Sequence, residues 1–331
     1  MSQFTKKLDK PAKSADFLLK LIIERGVKVE EHDELEIKNY IRSIGYFRLS
    51  GYFGPFQVEK DIFKKETTFY DIIRLYTFDR KLKLLFFDVI ETIEIELRAK
   101  ITDIMSLAYG EFWYNNENLF KEKPEKIKIC YCEIECGKSI LKTKEIEEKT
   151  YKILLKDIND SIKQSENSEF MKAFIEKYGN ETPVPSWMMM ECISFGKLSR
   201  LFWLIKEKKE KNIIAQCFGA INSDFLESWM HGISVLRNIC AHHSRLWNKK
   251  IGKDIKIPTR SSKKFILTDD QNKLRKLYGI SSCILQILTN INHEKSCTFK
   301  KKFLKLSEDY KIDKKAMGFP ENWKDDEIWK D

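Results

Sequence analysis

Apolar residues along much of this chain recur every three or four positions, the spacing of helices that bury one stripe. Leu75, Phe78, Leu82, Leu85, Val89, Thr92 and Glu96 keep that rhythm and predict one long helix from about Thr68 to Leu107, with a face that turns polar towards its end. Leu226, Trp229, Ile233, Leu236 and Cys240 step by 3, 4, 3 and 4 and predict a second helix within Ser223 to Trp247. Two shorter helices are expected over residues 14–43, with Gly26 as a C-cap, ending at the aromatic turn Gly45 to Pro55. Pro183 and Pro185 introduce an apolar helix from Trp187 to Ile205, in which Met188, Met189 and Met190 fill core. A further apolar helix is expected from Asn272 to Leu288, before a tail that holds Trp323 and Trp329. Residues 112–168 are rich in lysine and glutamate and form the least regular part, a predicted insertion. The pattern predicts a mostly α protein with few strands. Its helical bundle core comprises residues 61–111 and 169–250, and helical regions at 1–60 and 251–331 extend it.

The motif helix carries an unusual load. From Leu236 to Trp247, two histidines, two arginines and an asparagine fall within twelve residues, in a chain with five histidines altogether. On an ideal helix Asn238, His242 and Arg245 lie at i, i+4 and i+7 and form one polar line, whereas Arg237 is about 140° of rotation from His242. Either Arg237 reaches around, or the helix bends or ends near His242. Imidazoles move protons near neutral pH, and a guanidinium holds a phosphate and the charge that develops on it. Those parts suit metal-independent RNA cleavage, in which the ribose 2′-hydroxyl attacks the adjacent phosphorus and the protein supplies proton transfer and charge stabilisation. The candidate catalytic residues are Arg237, Asn238 and His242. Arg245 is a supporting residue, as is His243, which points about 100° away from His242. Arg25 and His32 share the spacing, but Gly26, Val27 and Val29 between them mark a helix end. Glu91, Glu94 and Arg98, at i, i+3 and i+7, share a face of the long helix. They form either an intrahelical ion-pair face or a support in which one glutamate orients Arg237 or His242 across a helix contact.

Charge adds to this picture. Sixty Lys and Arg against fifty Asp and Glu leave +10, a surplus that favours polyanions such as RNA. It clusters after the motif in Lys249, Lys250, Lys253, Lys256, Arg260, Lys263 and Lys264, and again in Lys300, Lys301 and Lys302. These are expected to contact RNA backbone, with Trp247 and Phe299 available for stacking on bases. Five of the eight cysteines are scattered and no signal peptide precedes them, which fits a reducing cytoplasm. Cys130, Cys132 and Cys136 lack a second CxxC or a nearby histidine, so no metal site is expected. No phosphate-cradling glycine motif appears, and no cofactor is expected. No run approaches the roughly 20 apolar residues of a membrane span, so a soluble protein is expected.

Arg237-Asn238 followed by His242 resembles the Arg-x4-6-His motif of HEPN domains, helical modules of many RNases in antiviral and toxin-antitoxin systems. The longer string RNICAHHSRLW resembles the signature of the Abi-like abortive-infection family (the AbiD/AbiF group). Further stretches fit that family in order: Lys10-Pro11 opening a helix, Ile44 to Tyr52, Phe78 to Leu82, Glu91 to Glu94 with Arg98, Pro185 to Trp187, and Ser194 to Ser199. The resemblance covers roughly residues 10 to 250. It implies a HEPN-like four-helix core and an endoribonuclease acting as a toxin or abortive-infection effector, with a glutamate as helper. It also implies a homodimer with a composite cleft under C2 symmetry and a structured noncoding RNA as guide or antitoxin. Two other functions fit the same residues: a catalytically silent RNA-binding scaffold and a protein-binding sensor of phage infection.

Overall fold

The structure, a computed structural model, describes residues 11–122, 124–135, 138–251, 255–258 and 265–330, with backbone only for 124–135 and 138–149. Helices α1 (Ala15–Glu24) and α2 (Glu34–Ile44) form where the pattern places them, and Gly26 takes φ +99° just after α1. Gly45, at φ +90°, turns the chain into the short α3 (Tyr46–Ser50), and a small hairpin, β1 (Gln57–Glu59) with β2 (Ile62–Phe63), follows. Helix α4 (Phe69–Tyr109) is a single run of 41 residues, about 62 Å long at 1.5 Å per residue. Its start is fixed by a capping box: the Thr68 hydroxyl accepts from the Asp71 N–H, and the Asp71 carboxylate accepts from the Thr68 N–H at 2.9 Å. Gly110, at φ +86°, ends it.

The lysine- and glutamate-rich segment contains an antiparallel hairpin, β3 (Pro124–Glu135) with β4 (Lys138–Lys149), in a register that pairs Ile127 with Ile146. Its signal is the alternation Lys126-Ile127-Lys128-Ile129, a period of two. Helices α5 (Thr150–Gln164) and α6 (Glu169–Tyr178) follow, and α5 buries Tyr151, Leu154 and Ile158 in the common core. The helix expected over 187–205 is two helices, α7 (Ser186–Cys192) and α8 (Phe195–Leu204). Ile193 is extended, and Ser194 caps α8 by accepting from the Lys197 N–H. The remaining helices are α9 (Lys208–Cys217), α10 (Ser223–Ala241), α11 (Gln271–Leu274), α12 (Leu277–Ile291) and α13 (His293–Asp309).

The protein is mostly α. Helix α4 is the spine: α7, α9, α10, α12 and α13 all pack along it, and α10 also packs against α8, α9 and α12. The α10 stripe of Leu226, Trp229, Ile233 and Leu236 is fully buried. Gly232 lets α12 close in, since a Cβ there would sit 2.9 Å from Ile280 Cδ1. Among the described residues no helix is long and apolar enough to cross a membrane.

Candidate functional site

Helix α10 ends at Ala241, before Arg245, so the polar line of Asn238, His242 and Arg245 does not form on one helix. The end is a Schellman closure: the Ser244 N–H reaches the Ile239 carbonyl and the His243 N–H the Cys240 carbonyl, each at 3.0 Å. His243 holds the left-handed position at φ +53°, which glycine usually fills. His243→Gly should therefore raise stability by about 1 kcal/mol, measurable as a small rise in melting temperature.

Beyond the turn the chain is fastened by residues from two other segments. The Asp79 carboxylate on α4, 0% exposed, accepts from Tyr52 Oη (2.7 Å), Lys83 Nζ (3.0 Å), the Leu246 N–H (3.0 Å) and the Trp247 N–H (2.7 Å). Lys83 also donates to the Ser244 carbonyl at 3.3 Å, and Arg48 on α3 to the His243 carbonyl at 2.6 Å. Arg245 turns back and donates to the Gly51 carbonyl. Burial, followed by the Asp79 charge, pushes the Tyr52 phenol well above its usual range, so it stays a donor. Burial also pushes the Cys240 thiol up to about 12, which leaves it protonated and inert at neutral pH. The 44–52 and 78–82 stretches thus meet the 243–247 turn. Asp79 and Lys83 had a legible signal: two charges at i, i+4 on a face where Leu75, Phe78, Leu82 and Phe86 mark the core.

The second constellation is a cleft of about 1190 Å³ between α4 and α7, where Glu91, Glu94 and Arg98 meet Trp187 and Arg237. Arg98 donates to Glu94, to the Met190 carbonyl and, at 2.8 Å, to the Ile193 carbonyl. The break between α7 and α8 is what frees carbonyls for it. Arg98→Ala leaves two backbone acceptors and Glu94 without their donor and should cost about 2–3 kcal/mol, read as a shifted denaturation midpoint. Glu94 is thus committed to Arg98, and among the described residues no carboxylate lies within ion-pair range of Arg237 or His242. Of the two readings of this face, the structure shows the intrahelical Glu94–Arg98 ion pair. Five carboxylates (Asp88, Glu91, Glu94, Asp103, Glu191) and two guanidiniums line the cleft, an acidic surplus.

Arg237 is half-buried in the cleft, whereas Asn238 and His242 are exposed at the α10 end and do not line it. None of the three makes a side-chain hydrogen bond or ion pair among the described residues. His243, Arg245, Lys249, Lys250 and Lys256 are exposed, as are Lys301 and Lys302, and Lys300 donates to the Lys330 carbonyl. Lys253, Arg260, Lys263 and Lys264 lie outside the described residues, as do the side chains of Cys130 and Cys132, together with Cys136. Trp247 is only 6% exposed, and Phe299, at 1%, packs edge-on against Phe86, so neither offers a stacking face on the outer surface. Exposed rings near these residues include Trp187 (53%) in the cleft and Phe47 (93%) beside Arg48.

Fold and site together define a mostly α protein that displays a short polar motif at the fastened end of a buried helix. Residues 39–248 match the family of Abi-like proteins, and the chain belongs to that family, which suggests an abortive-infection role. The matched span holds the Asp79 network, the cleft and the motif. No curated protein and no solved structure matches the chain.

Proposed function

We propose that this protein is a metal-independent endoribonuclease of the HEPN type, of the AbiD/AbiF group, acting as an abortive-infection effector. His242 transfers protons, Arg237 holds the scissile phosphate and Asn238 fixes the geometry. One observation carries this proposal: the polar residues around the α10 end divide cleanly by task. Arg48, Asp79, Lys83 and Arg245 are committed to holding the turn. Among the described residues the side chains of Arg237, Asn238 and His242 have no hydrogen-bond or ion-pair partner. Unpartnered polar groups on a rigidly held element are what a site for an external ligand requires.

Arg237 and His242 are about 140° apart around the helix and about 7.5 Å apart along it. A homodimer brings the His242 of one chain towards the cleft edge of the other, and light scattering of the purified protein should give twice the chain mass. Exposed Lys249, Lys250, Lys301 and Lys302 then serve the RNA backbone, including that of a cognate noncoding RNA.

End-group analysis of RNA cut in EDTA tests the chemistry. Attack by the 2′-hydroxyl leaves a 2′,3′-cyclic phosphate and a 5′-hydroxyl. Products with a 3′-hydroxyl, or cutting abolished by EDTA, would overturn the proposal.

A further inference from the structure

The cleft between α4 and α7 has a length and a charge that RNA cleavage at the α10 end does not use. Its wall follows α4 from Phe87 to Leu107, about twenty residue steps or about 30 Å. Its volume of about 1190 Å³ exceeds the roughly 300–1,000 Å³ of small-ligand sites. Helix α7 closes one side through Trp187, Met190 and Glu191. Three large apolar side chains of the lining, Ile95, Leu107 and Trp187, are each more than half exposed. Exposed apolar side chains scattered singly are ordinary, but several along one cleft mark a docking surface.

The charge of the cleft is the reverse of the chain's. The protein carries +10, yet five carboxylates face two guanidiniums here. Asp88 pairs with Lys295 at 3.1 Å, and Glu94 pairs with Arg98. Glu91, Asp103 and Glu191 are exposed and have no hydrogen-bond or ion-pair partner among the described residues.

These features select among occupants. An RNA strand along the cleft would lay its phosphates against those three carboxylates. A second copy bound isologously over the cleft would set the carboxylates against their own counterparts, so the homodimer proposed above meets at the α10 end and leaves the length along α4 open. An extended peptide finds no sheet edge to join, because both walls are helices. An amphipathic helix with lysine or arginine beside its apolar stripe meets every requirement. About 20 residues of helix span the 30 Å, the stripe covers Ile95 and Leu107, and the cations reach the three carboxylates and the face of the Trp187 ring. We infer that the α4–α7 cleft is the docking groove for a basic amphipathic helix of a partner protein. Arg237 lines the same cleft, so the docked helix covers it; only the block of cleavage that follows rests on the ribonuclease proposal.

The test uses the full chain and labelled peptides of about 20 residues, followed by fluorescence anisotropy. The probe carries leucines at i, i+3, i+4 and i+7 with lysines on the flanking positions. One control peptide has glutamate for every lysine, and another keeps the composition but scrambles the leucine spacing. The expected result is saturable binding of the lysine peptide, with both controls at least about tenfold weaker. Trp187→Ala and the double variant Glu91→Lys/Glu191→Lys should each weaken the lysine peptide about tenfold, the effect of losing an interface anchor. All three side chains are exposed, so these variants keep the fold. The double variant Glu30→Lys/Glu31→Lys, which makes the same charge change on exposed residues away from the cleft, should bind like the wild type. No binding of the lysine peptide, equal binding of the scrambled one, or equal weakening by the distant variant would overturn the inference. Light scattering should give Glu91→Lys/Glu191→Lys the same mass as the wild type; a change in mass would put a second copy in the groove and overturn the inference as well. Neither readout uses cleavage, so an inactive protein would sink the ribonuclease proposal and leave this one standing.

Discussion

Asp79→Ala should lower the melting temperature by on the order of 10 °C, from a loss of about 3–5 kcal/mol. The carboxylate is fully buried and satisfies four donors at once: one phenol, one ammonium and two backbone N–H groups. Its removal leaves the Lys83 ammonium buried beside an alanine and deprives the Leu246 and Trp247 N–H groups of their acceptor. The cost is that of stranded partners rather than of one lost attraction. Tyr52→Phe removes only the neutral donor and should cost about 1 kcal/mol, since Asp79 keeps three other bonds. A thermal melt of the two variants beside the wild type separates these cases. If Asp79→Ala melted with the wild type, the network would not be what fastens the turn.

The other large effect is on rate. His242→Ala should slow RNA cleavage by about 10²–10⁴, the usual contribution of a positioned general acid or base. The same substitution should leave stability within about 0.5 kcal/mol, because the side chain is exposed and has no partner to strand among the described residues. The contrast with Asp79 is the point: one residue carries stability at the helix end and the other carries chemistry there. A His242→Ala protein that melts early would place His242 in the turn's support, and its lost activity would then say nothing about proton transfer.

Much of this architecture was legible in periodicity. The α4 and α10 stripes, the Gly26 helix end and the aromatic turn after α2 follow from apolar spacing and glycine alone. Two boundaries were not. The break at Ile193 and Ser194 falls inside an apolar run whose spacing continues across it, and only the serine cap marks it. The stop at Ala241 depends on His243 entering the left-handed region, which a histidine seldom signals. The hairpin of β3 and β4 was hidden by composition, because lysine and glutamate dominate a segment whose alternation is short.

For the site, the sequence marked the right stretches but not their division of labour. Arg245 looked like part of a polar line and serves the turn instead. Glu94 looked able to reach Arg237 and is held by Arg98, whose further donors reach carbonyls that exist only because of the α7–α8 break. Trp247 looked like a surface aromatic because a charged run follows it, but the buried Asp79 carboxylate takes its N–H and seats the ring inside. Each misplacement arises from a long-range contact that local spacing does not encode.

The most direct test of the central claim is a side-by-side cleavage assay in EDTA, using wild-type protein stripped of bound nucleic acid and its His242→Ala variant on a mixed RNA panel. The account predicts that the wild type cuts and the equally folded variant does not. Equal cutting by both proteins, or none by either while both bind RNA tightly, would contradict it.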